Sequence, residues 1–109
     1  MELVYKLTNR ENVVKEFTLD LPTVRHDSVL SFNITENSFQ KTCSLESTNL
    51  NDTFIEEVAQ YAFDNEEILK FELVCEKNLI LTLINPSVTT TTNIENDKLI
   101  KRLQITTYK

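Results

Sequence analysis

The residues of this chain that could do chemistry are its carboxylates, one histidine and two cysteines, and their spacing limits what they can do. Glu56 and Glu57 are adjacent. On a helix, neighbouring side chains diverge by about 100°, so the two cannot flank one bond as the acid and base of a glycosidase do. The run His26, Asp27, Ser28 holds the three residue types of a hydrolase triad. Contiguous side chains point apart, however, and a triad is assembled from distant positions. His26 is the only histidine, and no spacing of carboxylates around it supplies a zinc ligand set. Cys43 and Cys75 are too few for a disulfide framework and fall on the apolar phase of alternating segments. They read as buried free thiols, with a single disulfide as the alternative. Asn33-Ile34-Thr35 and Asn51-Asp52-Thr53 match the N-glycosylation pattern, which matters only in a secreted chain. The sequence therefore predicts a protein that is not an enzyme and takes no cofactor or metal.

The absence of glycine reinforces this. Average usage of about 7% would place roughly seven or eight glycines in a chain of this length. Without any, a phosphate-binding P-loop, a dinucleotide fingerprint, a nucleophile elbow and a standard calcium loop are all excluded, because each needs glycine where the backbone turns sharply or approaches a ligand. Eleven asparagines are expected to take over left-handed turn positions.

Charge supplies the one strong asymmetry. Residues 42–69 contain Glu46, Asp52, Glu56, Glu57, Asp64, Glu66 and Glu67 and no Lys or Arg, so this segment carries −7 while the whole chain of 109 residues carries −6. Glu56, Glu57, Asp64, Glu66 and Glu67 are the expected partner-binding residues. An acidic face repels nucleic acid and attracts basic protein surfaces. The plain alternative is a solvated helix face that keeps the protein soluble. Lys98, Lys101, Arg102 and Lys109 offer a small positive patch near the C-terminus, too little to predict direct nucleic-acid binding.

The elements that must position these residues are mostly strands. Leu3, Tyr5 and Leu7 alternate with Glu2, Val4 and Lys6, a turn follows at Thr8 to Asn12, and a second strand runs from about Val13 to Leu19, with Phe17, Leu19 and Leu21 on one face. Pro22 ends it, and a loop continues to Asp27. Leu30, Phe32, Ile34 and then Phe39, Lys41, Cys43, Leu45 predict a second hairpin. From Leu50 the period becomes helical: Phe54, Ile55, Val58, Tyr61 and Ala62 form one apolar stripe. Asn51, Asp52 or Thr53 can cap it, and Thr53 with Glu56 has capping-box spacing. The helix is expected to end near Phe63. Leu69 to Cys75 alternates again, and Leu79 to Ile84, apolar on both faces, predicts a central strand. Asn85 and Pro86 break it. A Thr-rich strand, Val88 to Ile94, and a last strand, Leu99 to Thr107, complete the chain, with a short helix at Asp97 to Leu103 as the competing reading of that end. The predicted fold class is α+β: a single domain spanning residues 1–109, with a curved antiparallel sheet of about seven or eight strands and one amphipathic helix inserted after the fourth.

In size and charge the chain is similar to small acidic inhibitors made by phages, anti-CRISPR proteins and other nucleic-acid mimics among them. It is equally similar to bacterial immunity proteins that neutralise a toxin nuclease. Either resemblance implies a cofactor-free, stoichiometric inhibitor whose partner is a protein with a basic surface, such as a nucleic-acid-binding protein or nuclease. A third reading is a structural or virion accessory module that self-assembles through an exposed edge strand such as Val88 to Ile94. The longest apolar runs are only a few residues, and Met1 to Glu11 holds no continuous apolar stretch, so no membrane span or secretory signal is predicted and the expected location is cytoplasmic.

Overall fold

The computed structural model describes residues 1–20, 30–48 and 53–109. The predicted loop from Pro22 to Asp27, the run His26, Asp27, Ser28, the strand residue Leu21, the helix-entry residue Leu50 and the capping candidates Asn51 and Asp52 lie outside the described residues. In chain order the elements are β1 (Glu2–Asn9), β2 (Val14–Asp20), β3 (Leu30–Glu36), β4 (Gln40–Ser47), α1 (Phe54–Asp64), β5 (Ile68–Cys75), β6 (Asn78–Ile84), β7 (Ser87–Glu95) and β8 (Lys98–Tyr108). The Leu99 region is thus strand, and the competing helix does not form.

The predicted single curved sheet is corrected by the pairing. The strands form two separate four-stranded antiparallel sheets, ordered β2-β1-β5-β6 and β3-β4-β8-β7. The helix does follow the fourth strand. Alternation tells which face of a strand is buried but not which strand lies beside it, so one curved sheet and two facing sheets leave the same pattern in the sequence. The two sheets share one core. Leu3, Tyr5, Leu7, Phe71 and Leu73 of the first meet Cys43, Leu45, Leu103 and Ile105 of the second, and α1 adds Phe54, Ile55 and Val58.

The central position predicted for β6 is also corrected: it is an edge strand of the first sheet. Leu81 and Leu83 enter the core, but Leu79, Ile80 and Ile84 are 55%, 44% and 53% exposed. The register slips between Leu73 and Val74, leaving Ile80 without a partner on β5. Asn85 and Pro86 then carry the chain to the other sheet, and among the described residues no further strand covers this edge.

Glycine-free turns form at a cost. Asn12, Asn85 and Asn96 take positive φ as expected of asparagine, and Asp97 joins them, but Glu66, Glu76 and Lys77 do so as well. The β5–β6 and β7–β8 connections each place two successive positive-φ residues between paired strands, the type I′ geometry whose twist suits a hairpin.

In α1, Phe54, Ile55 and Val58 are buried, and Tyr61 and Ala62 are half-buried, as the stripe requires. Thr53 stands at the N-cap but makes no side-chain capping bond. The anticipated capping box does not form: Thr53 has helical dihedrals, φ −103° and ψ 0°, rather than the extended ones of a capping residue, and Glu56 pairs with Lys101 of β8. No helix among the described residues is long and apolar enough to cross a membrane.

Candidate partner-binding groove

The helix lies between β2 of the first sheet and β7 and β8 of the second. On the first side it is held by aromatic contacts: the Phe54 ring stands edge-on to Tyr5 at 5.1 Å, and Tyr61 meets Phe17 at 5.7 Å. On the second side Glu56 pairs with Lys101, and Lys101 is opposite Thr92 in the β7–β8 register. At the other end of α1, the amide of Asn85 donates to the Leu69 carbonyl at 2.8 Å, drawing the β6–β7 corner against the residues that follow the helix. From Glu56 to Asp64 the helix therefore runs beside β7, from Thr92 back towards Ser87.

An open groove of about 1260 Å³ separates the two. Its floor includes Ile55, Ile68 and Pro86, all buried. One wall is acidic, with Glu56, Asp64, Glu66 and Glu67; the other is the uncharged face of β7, with Ser87, Val88, Thr90 and Thr92. Sequence reasoning missed this second wall as part of the site, since only tertiary contact brings residues 62–68 beside 85–92. The signal in the sequence was a strand with no charge before Glu95.

The structure divides the five expected partner residues. Glu56, Asp64, Glu66 and Glu67 line the groove, whereas Glu57 sits on the other flank of the helix, beside a shallow depression lined by Lys15, Phe17 and Tyr61. Glu56 is neutralised: burial alone would raise its carboxyl pKa, but the Lys101 ammonium and a backbone amide outweigh that and hold it below the usual range. Glu46 is paired with Arg102 at 2.6 Å. Asp52 lies outside the described residues. What remains in the groove is Asp64, Glu66 and Glu67, and among the described residues no cation pairs with them. Asp64 Oδ1 accepts from Gln60 Nε2 at 2.8 Å. The basic residues near the C-terminus are broken up in the same way, since Lys101, Arg102 and Lys109 pair with Glu56, Glu46 and Glu36.

No family model, curated protein or solved structure matches the chain. What bears on function is the groove and the reactivity of the groups around it. Cys43 and Cys75 are both free thiols. Burial pushes the Cys43 thiol up to about 12, which leaves almost none of it as nucleophilic thiolate near neutrality. Burial likewise raises the Tyr5 phenol well above its ordinary value, and its neighbour Cys43 adds to that. Among the described residues no group of three or more His, Cys, Asp or Glu side chains is placed to hold a metal ion.

Proposed function

We propose that this protein is a non-enzymatic, stoichiometric binding protein that acts in the cytoplasm by engaging a basic protein surface with the groove between α1 and β7. The observation that carries this reading is the groove itself: on one wall Asp64, Glu66 and Glu67 pair with no cation among the described residues, since Lys101, which also lines the groove, is taken by Glu56, and the β7 wall opposite carries no charge. The three carboxylates are exposed and of like sign, so a partner that brings Lys or Arg into the groove gains both attraction and a faster approach. Nucleic-acid-binding surfaces of other proteins have this chemistry. Inhibition follows if the acidic wall occupies such a surface in place of the nucleic acid.

The test is affinity capture at low and moderate salt with the wild type and with the double variant Glu66→Lys, Glu67→Lys, checked for folding by circular dichroism. Each captured protein is then challenged with duplex DNA. The expected result is a partner held by the wild type, lost from the variant, weakened by salt and displaced by DNA. Equal capture by both proteins would reduce the acidic wall to a solubilising face.

A further inference from the structure

β7 presents an open sheet edge to this groove. Glu95 and Lys98 flank a two-residue type I′ turn, so they form a hydrogen-bonded pair, and such pairs recur at every second residue along the unbroken β7–β8 register. The intervening residues, Val88, Thr90, Thr92 and Ile94, consequently direct their N–H and C=O groups away from β8. Among the described residues no backbone group takes these up. Val88, Thr90 and Thr92 are also lining residues of the groove.

Of the other edges, β3 is likewise uncharged before its last residue, Glu36, but is not among the strands that line the groove, and the remaining two are blunted. β2 carries Lys15, Glu16 and Asp20. β6 is interrupted by its register shift, and its final carbonyl, on Ile84, accepts from Thr107 Oγ1 at 3.0 Å. β7 runs for 9 residues with no bulge, no proline and no charge before Glu95. Charged side chains, proline and bulges are the usual devices that prevent strand addition, and β7 has none of them along its groove-lining length.

We propose that the groove receives an extended, basic peptide segment of a partner protein, which adds to β7 as a further strand while its Lys or Arg side chains meet Asp64, Glu66 and Glu67. This deepens the function proposed above and rests on the acidic wall being a binding surface. Strand addition draws affinity from main-chain hydrogen bonds and selectivity from the side chains that reach the flanking wall. Here that wall is the end of α1 and its exit turn. Charge complementarity selects the occupant. A second copy pairing β7 with β7 would bring another strand without Lys or Arg and leave the three carboxylates unmatched. A nucleic acid would be repelled.

The test is fluorescence anisotropy with a fluorescein-labelled peptide of alternating lysine and valine, of the same length as the 9 residues of β7. Three comparisons accompany it: the same peptide N-methylated at alternate backbone amides, its glutamate-valine counterpart, and the protein variants Thr90→Pro and Glu66→Lys, Glu67→Lys. Thr90→Pro deletes an amide that points away from β8, so the β7–β8 ladder keeps its bonds. The methylated peptide tests the same edge without altering the protein. Strand addition predicts saturable binding of the basic peptide, none of the acidic one, and at least about tenfold weaker binding on methylation, with Thr90→Pro and with the charge reversal. If charge reversal abolishes binding but methylation and Thr90→Pro leave it unchanged, strand addition is overturned while the acidic surface stands. If charge reversal has no effect, both readings fall. A dimer of the protein alone that Thr90→Pro dissociates would give the edge to a second copy and overturn the proposal, as would absence of binding to the basic peptide.

Discussion

Asn9 Nδ2 donates to Asn65 Oδ1 at 3.0 Å, joining the β1–β2 turn to the end of α1. Each amide also organises its own segment. Asn9 Oδ1 accepts the backbone N–H groups of Glu11 and Val13 at 2.9 and 3.0 Å, building the turn, and Asn65 Nδ2 donates to the Tyr61 carbonyl at 2.7 Å, closing the helix. Asn9 is buried. The pair therefore fixes where α1 stops, and with it where Glu66 and Glu67 stand in the groove.

Removing the Asn9 amide should cost more than removing Asn65. Asn9→Ala deletes three hydrogen bonds and leaves the Glu11 and Val13 amides seeking water, for a loss of about 2 to 3 kcal/mol; Asn65→Ala should lose about 1 kcal/mol. Because the two share a bond, the double variant should lose less than the sum. Urea unfolding of all four proteins measures this. Strict additivity would mean the bond between the side chains contributes nothing.

Lys77 holds φ at 69°, a conformation that a side chain with a Cβ adopts only against steric resistance. Lys77→Gly removes that resistance at the second position of a type I′ turn and leaves Glu76 free to keep its bond to the Glu2 amide. Stability should rise by about 1 kcal/mol, partly offset by the greater freedom of glycine in the unfolded chain. Thermal unfolding should show an upward shift of a few degrees. A fall would mean that the turn depends on the lysine for something other than backbone geometry.

The local features of the fold were legible because local chemistry decides them. The stripe Phe54, Ile55, Val58 can be buried only by a helix, and Leu3, Tyr5, Leu7 only by a strand. Pairing was not legible, since Tyr5 and Leu45 carry the same alternation whether they share a sheet or face each other across a core. Leu79 to Ile84 misled for a physical reason: a run apolar on both faces implies cover on both, yet only Leu81 and Leu83 receive it. In the groove, the acids were visible in the sequence, but the neutralisation of Glu56 by Lys101 and the approach of β7 depend on contacts between distant segments.

The Glu56–Lys101 pair makes a small, signed contribution to pH dependence. Its carboxyl pKa is lowered in the folded protein, so the stability it provides is present above the unfolded value of about 4.3 and is lost as pH falls through the folded value. Glu56 remains 49% exposed, so solvent screening limits the effect to under about 1 kcal/mol. Glu56→Gln should be slightly less stable than the wild type at about pH 6, and the difference should shrink as pH falls from there below the unfolded value of about 4.3. A constant difference across that range would assign the loss to packing rather than charge.

Among the described residues the buried Tyr5 hydroxyl has no hydrogen-bond partner of ordinary geometry, although the Cys43 thiol lies close enough to perturb it. A buried hydroxyl that has given up water and gained little in return costs about 1 to 3 kcal/mol, whereas the ring carries the packing against Phe54 and Phe71. Tyr5→Phe keeps the ring and removes the penalty, so it should leave stability unchanged or raise it by up to about 1 kcal/mol. The same burial protects Cys43. With its thiol pushed up to about 12, it should resist iodoacetamide at about pH 8 until the protein unfolds, while the half-buried Cys75 is labelled first. Mass spectrometry of native and urea-treated protein would count one label and then two. Destabilisation by Tyr5→Phe would show that the thiol is a genuine partner of the hydroxyl, and in that case Cys43→Ala should destabilise the protein further in the wild type than in the Tyr5→Phe background.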